Sequence, residues 1–168
     1  MKVCVFGAGA VGGNIATRLI AAQAGEISVV ARGAQLNAIR ARGLTLRSGG
    51  KEITARPKVA TDDPSTLPPQ DIVAVTLKAT AALPAAARAI ARLIAPHGCA
   101  IFLLNGIQWW WRHGLPGASG TLPLLDPDGA LWTEVRPERA LGCVVHCPND
   151  LVEPGVIVHA GTNHLILG

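Results

Sequence analysis

Tyrosine is absent from the 168-residue chain, phenylalanine occurs twice, methionine once, and only 15% of residues are charged. Acidic side chains are missing from a whole stretch. Between Glu26 and Glu52 there is no carboxylate, while Arg32, Arg40, Arg42, Arg47 and Lys51 all fall there. Residues 1–60 carry nine Lys or Arg against two Glu, whereas residues 61–168 carry six basic and nine acidic side chains. A one-sided field of this kind suits a small anionic ligand. It does not suit a nucleic-acid groove, because that basic half offers no aromatic for base stacking except Phe6.

Long apolar runs are also lacking. Nineteen uncharged residues separate Arg92 from Arg112, but Pro96, His97, Gly98, Asn105, Gly106 and Gln108 interrupt them, which argues against a membrane helix. Lys2, the apolar residues after it and Ala22-Gln23-Ala24 imitate a signal peptide. Gly7, Gly9, Gly12, Gly13, Asn14 and Arg18 break its apolar segment, so a soluble, cytoplasmic protein is expected. The four cysteines (Cys4, Cys99, Cys143, Cys147) show no C-x-x-C spacing; three of them sit in apolar runs and read as small buried hydrophobes, and no disulfide framework is expected. Cys143, Val145 and Cys147 would share one strand face and His146 the other, so they do not converge on a metal.

What is present can fill a core: 49% of residues are hydrophobic and the mean hydropathy is +0.35. Nineteen glycines and 12 prolines exclude a helical bundle and point to short elements joined by turns. Lys2–Phe6 reads as a buried strand. Val11, Ile15, Leu19 and Ala22 then recur at helical spacing. Ile27–Ala31 is a second strand and Gln35–Arg42 a short helix. Leu44–Arg47 and Glu52–Ala55 flank a hairpin turn. After the turn-rich Thr61–Gln70, Asp71–Leu77 is a strand, a helix starts near Pro84 and stops at Pro96-His97-Gly98, and Cys99–Leu104 is the next strand. Ile107–Gly129 is loop-rich, and Ala140–His146, Val156–His159 and Asn163–Leu167 read as short strands. This order predicts an α/β fold over residues 1–168: a Rossmann-type, doubly wound, mostly parallel sheet with a β-rich C-terminal extension.

Gly7-Ala8-Gly9-Ala10-Val11-Gly12 is a G-x-G-x-x-G motif between a predicted strand and a predicted helix, the context in which the motif is informative. Gly7 permits the turn, Gly9 lets the backbone approach a pyrophosphate, and Gly12 allows close packing of helix on strand. The free N–H groups and positive dipole end of the helix would hold the phosphates. Where a carboxylate would hold the ribose of NAD, this chain has Arg32, whose planar donors suit the 2′-phosphate of NADP(H). Lys78 and Asn105 each follow an apolar strand, at the sheet end where ligands of open α/β sheets lie. A lysine there can reach a phosphate, ribose or carboxylate, and an asparagine can anchor a hydroxyl or carbonyl.

With these pieces in order the chain resembles the ketopantoate reductase (2-dehydropantoate 2-reductase) family along nearly its whole length. The resemblance rests on GAGAVGG at Gly7–Gly13, Ala31-Arg32, TLKA at Thr76–Ala79 and LNG at Leu104–Gly106. The tryptophan cluster, PER at Pro137–Arg139, GCVVHCP at Gly142–Pro148 and PGVIVHAG at Pro154–Gly161 continue it. The resemblance implies that Gly7 to Gly12 bind the NADPH pyrophosphate and Arg32 the 2′-phosphate. It puts Lys78 and Asn105 beside the nicotinamide ribose, Asn105 also on the 2-oxo acid, and the turn at Cys147-Pro148 close to the cofactor. The implied reaction is reduction of ketopantoate to pantoate for pantothenate synthesis.

Family enzymes are about twice this long, and a helical C-terminal domain supplies the lysine that protonates the carbonyl oxygen. This chain stops at Gly168, so it is expected to be the NADP-binding domain of such an enzyme without the main general acid. Another NADP-linked reductase with the same first domain, or a non-catalytic NADPH-binding module, are the alternative readings. Three adjacent indoles, Trp109 to Trp111, cannot all be buried alike. They are expected to pack against that helical domain or a partner subunit, as in a homo-oligomer.

Overall fold

The computed structural model describes residues 1–79, 82–118 and 120–168. The N-terminal part alternates as the pattern predicts. β1 (Lys2–Phe6) leads to α1 (Ala10–Ala21), then β2 (Glu26–Val30) and α2 (Gly33–Arg42). The hairpin β3 (Leu44–Ser48) and β4 (Lys51–Ala55) turns on Gly49 and Gly50, whose φ of +56° and +73° are those of a two-residue hairpin turn. β5 (Val59–Thr61), β6 (Gln70–Val75), α3 (Ala82–Ala85), α4 (Ala87–Leu93) and β7 (Ile94–Leu103) follow. β8 (Ala140–His146), β9 (Asn149–Glu153), β10 (Val156–His159) and β11 (His164–Leu167) complete the chain.

Seven strands form the main sheet in the order β11-β8-β7-β6-β1-β2-β5, parallel except for β11 on the β8 edge. Buried on both faces, β1 sends Val3 and Val5 to one side and Cys4 and Phe6 to the other. One core gathers Cys4, Phe6, Val75, Ile90, Phe102, Trp109 and Leu131 beneath α3, α4 and the tryptophan loop. The opposite core holds Val3, Val5, Ala16, Val29, Ile39, Leu46 and Ile157.

The β-rich extension divides between two sheets. β8 and β11 widen the main sheet, while β9 and β10 join the hairpin in a second sheet of order β4-β3-β10-β9. β10 runs parallel to β3, and α1 lies against strands of both sheets. A Cβ on Gly13 would overlap Ile157, so glycine is what lets α1 sit this close to β10. Neither β5 nor β9 is apparent from local sequence.

The helix expected to run from Pro84 to the Pro96-His97-Gly98 stop instead breaks at Ala86, and β7 begins at Ile94, before Pro96. Gln70 pairs with Ile94, and the register shifts before Ile72 meets Cys99, so Pro96, His97 and Gly98 lie in an irregular strand start. Gly98 is needed there: a Cβ would stand 2.7 Å from the carbonyl oxygens of Gln70 and Asp71. Among the described residues no helix is long and apolar enough to cross a membrane.

Candidate cofactor cleft

The cleft opens at the carboxyl end of the main sheet, where the chain leaves β1 for β2 on one side and returns to β6 on the other. That reversal is where open α/β sheets bind ligands. Gly7, at φ +105°, turns the chain out of β1. Its neighbour Gly9 is the N-cap of α1, without a capping side chain and with no acidic residue in the first turn. The first amides of α1 therefore lack a side-chain partner and carry the positive end of the helix dipole.

The two other glycines of the motif differ in what surrounds them. A Cβ on Gly12 would overlap the Gly7 carbonyl oxygen and the Thr76 hydroxyl, so this glycine is required by packing within the protein. A Cβ on Gly9 would meet nothing within 4 Å among the described residues. Gly9 borders open space, and a side chain there would intrude only on what enters the cleft. Thr76 reinforces the turn by donating its hydroxyl to the Gly7 carbonyl.

On the β2 side a cavity of ≈ 350 Å³ is lined by Phe6, Gly7, Ala8, Gly9, Val30, Ala31, Arg32, Gln35, Leu77, Leu151 and alanines of the α3–α4 segment. Arg32 is exposed at the N-cap of α2, and its guanidinium has no hydrogen-bond or ion-pair partner among the described residues. On the β6 side lies a cavity of ≈ 510 Å³ lined by Gly7, Gly9, Ala10, Val11, Thr76, Leu77, Lys78, Leu103, Leu104, Asn105, Val145 and Cys147. The two cavities share Gly7, Gly9 and Leu77, so they are two arms of one cleft meeting at the glycine turn.

Most of the residues singled out in the sequence therefore converge here. Lys78 is exposed, three residues beyond the end of β6. Asn105 follows β7, and its amide is already engaged. Nδ2 donates to the Val145 carbonyl at 3.1 Å, and Oδ1 accepts from the Val145 N–H at 2.8 Å. This two-point clamp continues the β7–β8 pairing by one side chain and leaves one N–H and one lone pair free. Gly12 supports the turn from within. Pro148 does not line the cleft, whereas Cys147 before it does.

Burial pushes the Cys4 thiol, behind the turn, up to about 12. The Cys143 thiol is raised by the same cause, with Cys147 adding to the shift. All four cysteines are free thiols, and no three His, Cys, Asp or Glu side chains cluster among the described residues.

Gln35 and Leu151 were not apparent from sequence. Gln35 sits in the first turn of α2 with no local motif, and Leu151 comes from the second sheet. The tryptophans separate by environment. Trp109 is buried edge-on against Phe102, Trp110 packs on both at half burial, and Trp111 is 59% exposed. On the β8–β11 edge the paired Val144 and Ile166 are exposed on one face, and Leu167 is exposed on the other.

A mostly parallel, two-faced sheet with a glycine turn at its point of reversal defines a Rossmann-type domain. Residues 3–168 match the family described as Ketopantoate reductase PanE/ApbA, and the chain belongs to that family. It is 41% identical over its full length to a 2-dehydropantoate 2-reductase of Mesorhizobium japonicum, of which it covers 52%. A chain of Ralstonia solanacearum described as a ketopantoate reductase superposes with a TM-score of 0.90 at 39% identity. That match covers 98% of this chain and 51% of the other. The 2-dehydropantoate 2-reductase of Porphyromonas gingivalis gives a TM-score of 0.75 at 26% identity, covering 99% of this chain and 53% of that one. The chain thus spans about half the length of the relatives it matches.

Proposed function

We propose that residues 1–168 form a single NADP(H)-binding domain of a cytoplasmic oxidoreductase that reduces a 2-oxo acid, ketopantoate to pantoate in pantothenate synthesis. The observation that carries this reading is the two-armed cleft around Gly9, with room at that position for a phosphate and, among the described residues, no side chain capping the α1 amides. The residues present fit a dinucleotide. Gly7 to Gly12, with the backbone of Ala8, Ala10 and Val11, would cradle the pyrophosphate. Arg32, exposed at the β2 end and without a partner among the described residues, would take the 2′-phosphate.

A dinucleotide held by these residues would supply the hydride chemistry for reduction of a ketone carbon. Lys78 would hold the nicotinamide ribose. Asn105, fixed by its clamp on Val145, would present its remaining N–H to the ribose or the substrate carbonyl. Pro148 would follow Cys147 past the cofactor. The proton for the carbonyl oxygen would come from a lysine in the half of the relatives that this chain does not span. The exposed apolar side chains of Trp111 and of the Val144–Ile166 pair would receive that helical half or a second copy of the chain.

Calorimetric titration with NADPH and NADH tests the reading. NADPH binds more tightly, and Arg32→Ala removes the preference, weakening NADPH about 10- to 100-fold while leaving NADH within about twofold. Equal affinity for the two nucleotides in the unaltered chain would overturn the NADP assignment. A cooperatively folded chain that binds neither would overturn the cofactor site itself.

A further inference from the structure

The Gln35 side chain joins two parts of the molecule far apart in sequence. Its Nε2 donates to the Ala8 carbonyl in the glycine turn at 2.6 Å, and its Oε1 accepts from the Gly155 N–H at 2.8 Å. Gly155 closes the turn between β9 and β10, at φ +84°. That turn is held from other sides as well. Thr45 N–H donates to the Gly155 carbonyl at 2.8 Å, and the Arg42 guanidinium donates to the Pro154 carbonyl at 2.6 Å. Four residues before Gly155, Leu151 lines the β2-side arm of the cleft, yet remains 41% exposed. An apolar side chain left half-bare at the mouth of a cavity has a surface to give to a flat ring.

We propose that Gln35 is a positioning residue of the nucleotide site and Leu151 its outer wall. The Gln35 amide ties the Ala8 carbonyl to the β9–β10 turn, so the glycine turn and the hairpin bearing Leu151 hold one fixed geometry around the adenosine half of the ligand. This rests on the dinucleotide reading above. An amide is the group the geometry requires, because one partner is a carbonyl that needs a donor and the other an N–H that needs an acceptor. Preorganisation by the clip raises affinity by removing the need to order two separate segments on binding.

The consequences can be read by titrating NADP+, 2′,5′-ADP and nicotinamide mononucleotide into the chain. Gln35→Leu, similar in size but without either hydrogen bond, weakens NADP+ and 2′,5′-ADP by about tenfold. Leu151→Ala weakens the same two ligands by about threefold or more, and neither change alters binding of nicotinamide mononucleotide. Gln35→Glu gives a signature that packing alone would not. As a carboxylate it has no donor for the Ala8 carbonyl, and as a neutral acid it regains one. Its affinity relative to the unaltered chain at the same pH is therefore low at pH 8 and recovers as pH falls through the ordinary glutamate range to about pH 4.

Affinity within twofold of the unaltered chain for Gln35→Leu, or for Gln35→Glu at pH 8, overturns the proposal. So does a Gln35→Glu deficit that does not change with pH, and that pair of pH values decides alone if Gln35→Leu does not fold. Failure of the unaltered chain to bind any of the three ligands instead brings down the dinucleotide reading, and this inference with it.

Discussion

Gly9 and Gly12 stand three residues apart in one motif and are glycine for different reasons. At Gly12 the constraint lies inside the protein, where the Gly7 carbonyl and Thr76 hydroxyl occupy the place of a Cβ. Gly12→Ala should lower stability by about 1–3 kcal/mol, the usual cost of overpacking, seen as a shift of the urea midpoint. At Gly9 no described residue stands within 4 Å of that place. Gly9→Ala should keep the melting temperature within about 2 °C while weakening NADPH by at least about tenfold, a combination that calorimetry and a melting curve on the same samples would register.

Cys4 offers a check on the interior of the same region. Only the thiolate alkylates, and the folded state holds this thiol neutral. Mass spectrometry after iodoacetamide at pH 8.5 should find Cys4 unmodified in the native chain and modified in urea. Because its folded pKa is raised from 9.0 to about 12, this group's contribution to stability is full below about pH 9 and declines as pH climbs toward 12.

At the scale of elements, the Asn105 clamp makes a prediction distinct from any role in binding. Removing the side chain frees the Val145 N–H and carbonyl at the end of β8, so Asn105→Ala should cost about 1–2 kcal/mol and speed hydrogen exchange at the Val145 amide. The elements that carry the cleft were legible because each has a local signature. A strand breaking at Gly7 and a helix repeating from Val11 announce β1 and α1. Arg32, Lys78 and Asn105 stand out as polar residues closing apolar runs.

The elements that were not legible depend on partners distant in sequence. β9 is exposed along most of its length and is a strand because it pairs with β10. β5 is three residues long and exists by pairing with β2. The start of β7 overrides a proline because Gln70 captures Ile94. Gln35 gave no sign because its two partners, Ala8 and Gly155, lie 27 and 120 residues away.

For the whole molecule, the unpartnered surface is its clearest open end. Trp111 and Ile166 are each more than half exposed, and Ile166 stands opposite the exposed Val144 on one face of the β8–β11 edge. A chain with this face bare should self-associate. Sedimentation at rising concentration should show a weak oligomer that Trp111→Ser combined with Ile166→Lys disperses, with the melting temperature of the dilute sample unchanged within about 3 °C.

The parallel pairing of β3 with β10 also sets an order of events during synthesis. Thr45 and Val156, neighbours in that ladder, are more than a hundred residues apart along the chain. A ribosome adding about 5–20 residues each second delivers β10 several seconds after β3. Until then Leu44 and Leu46 lack the cover that Ile157 of β10 adds to their core. The Gln35 clip cannot close in that interval either, since Gly155 has not yet emerged. The glycine turn therefore acquires its final support last, and a nascent chain interrupted before residue 156 would present the ligand-facing loop on an unfinished scaffold, with an open strand edge beside it.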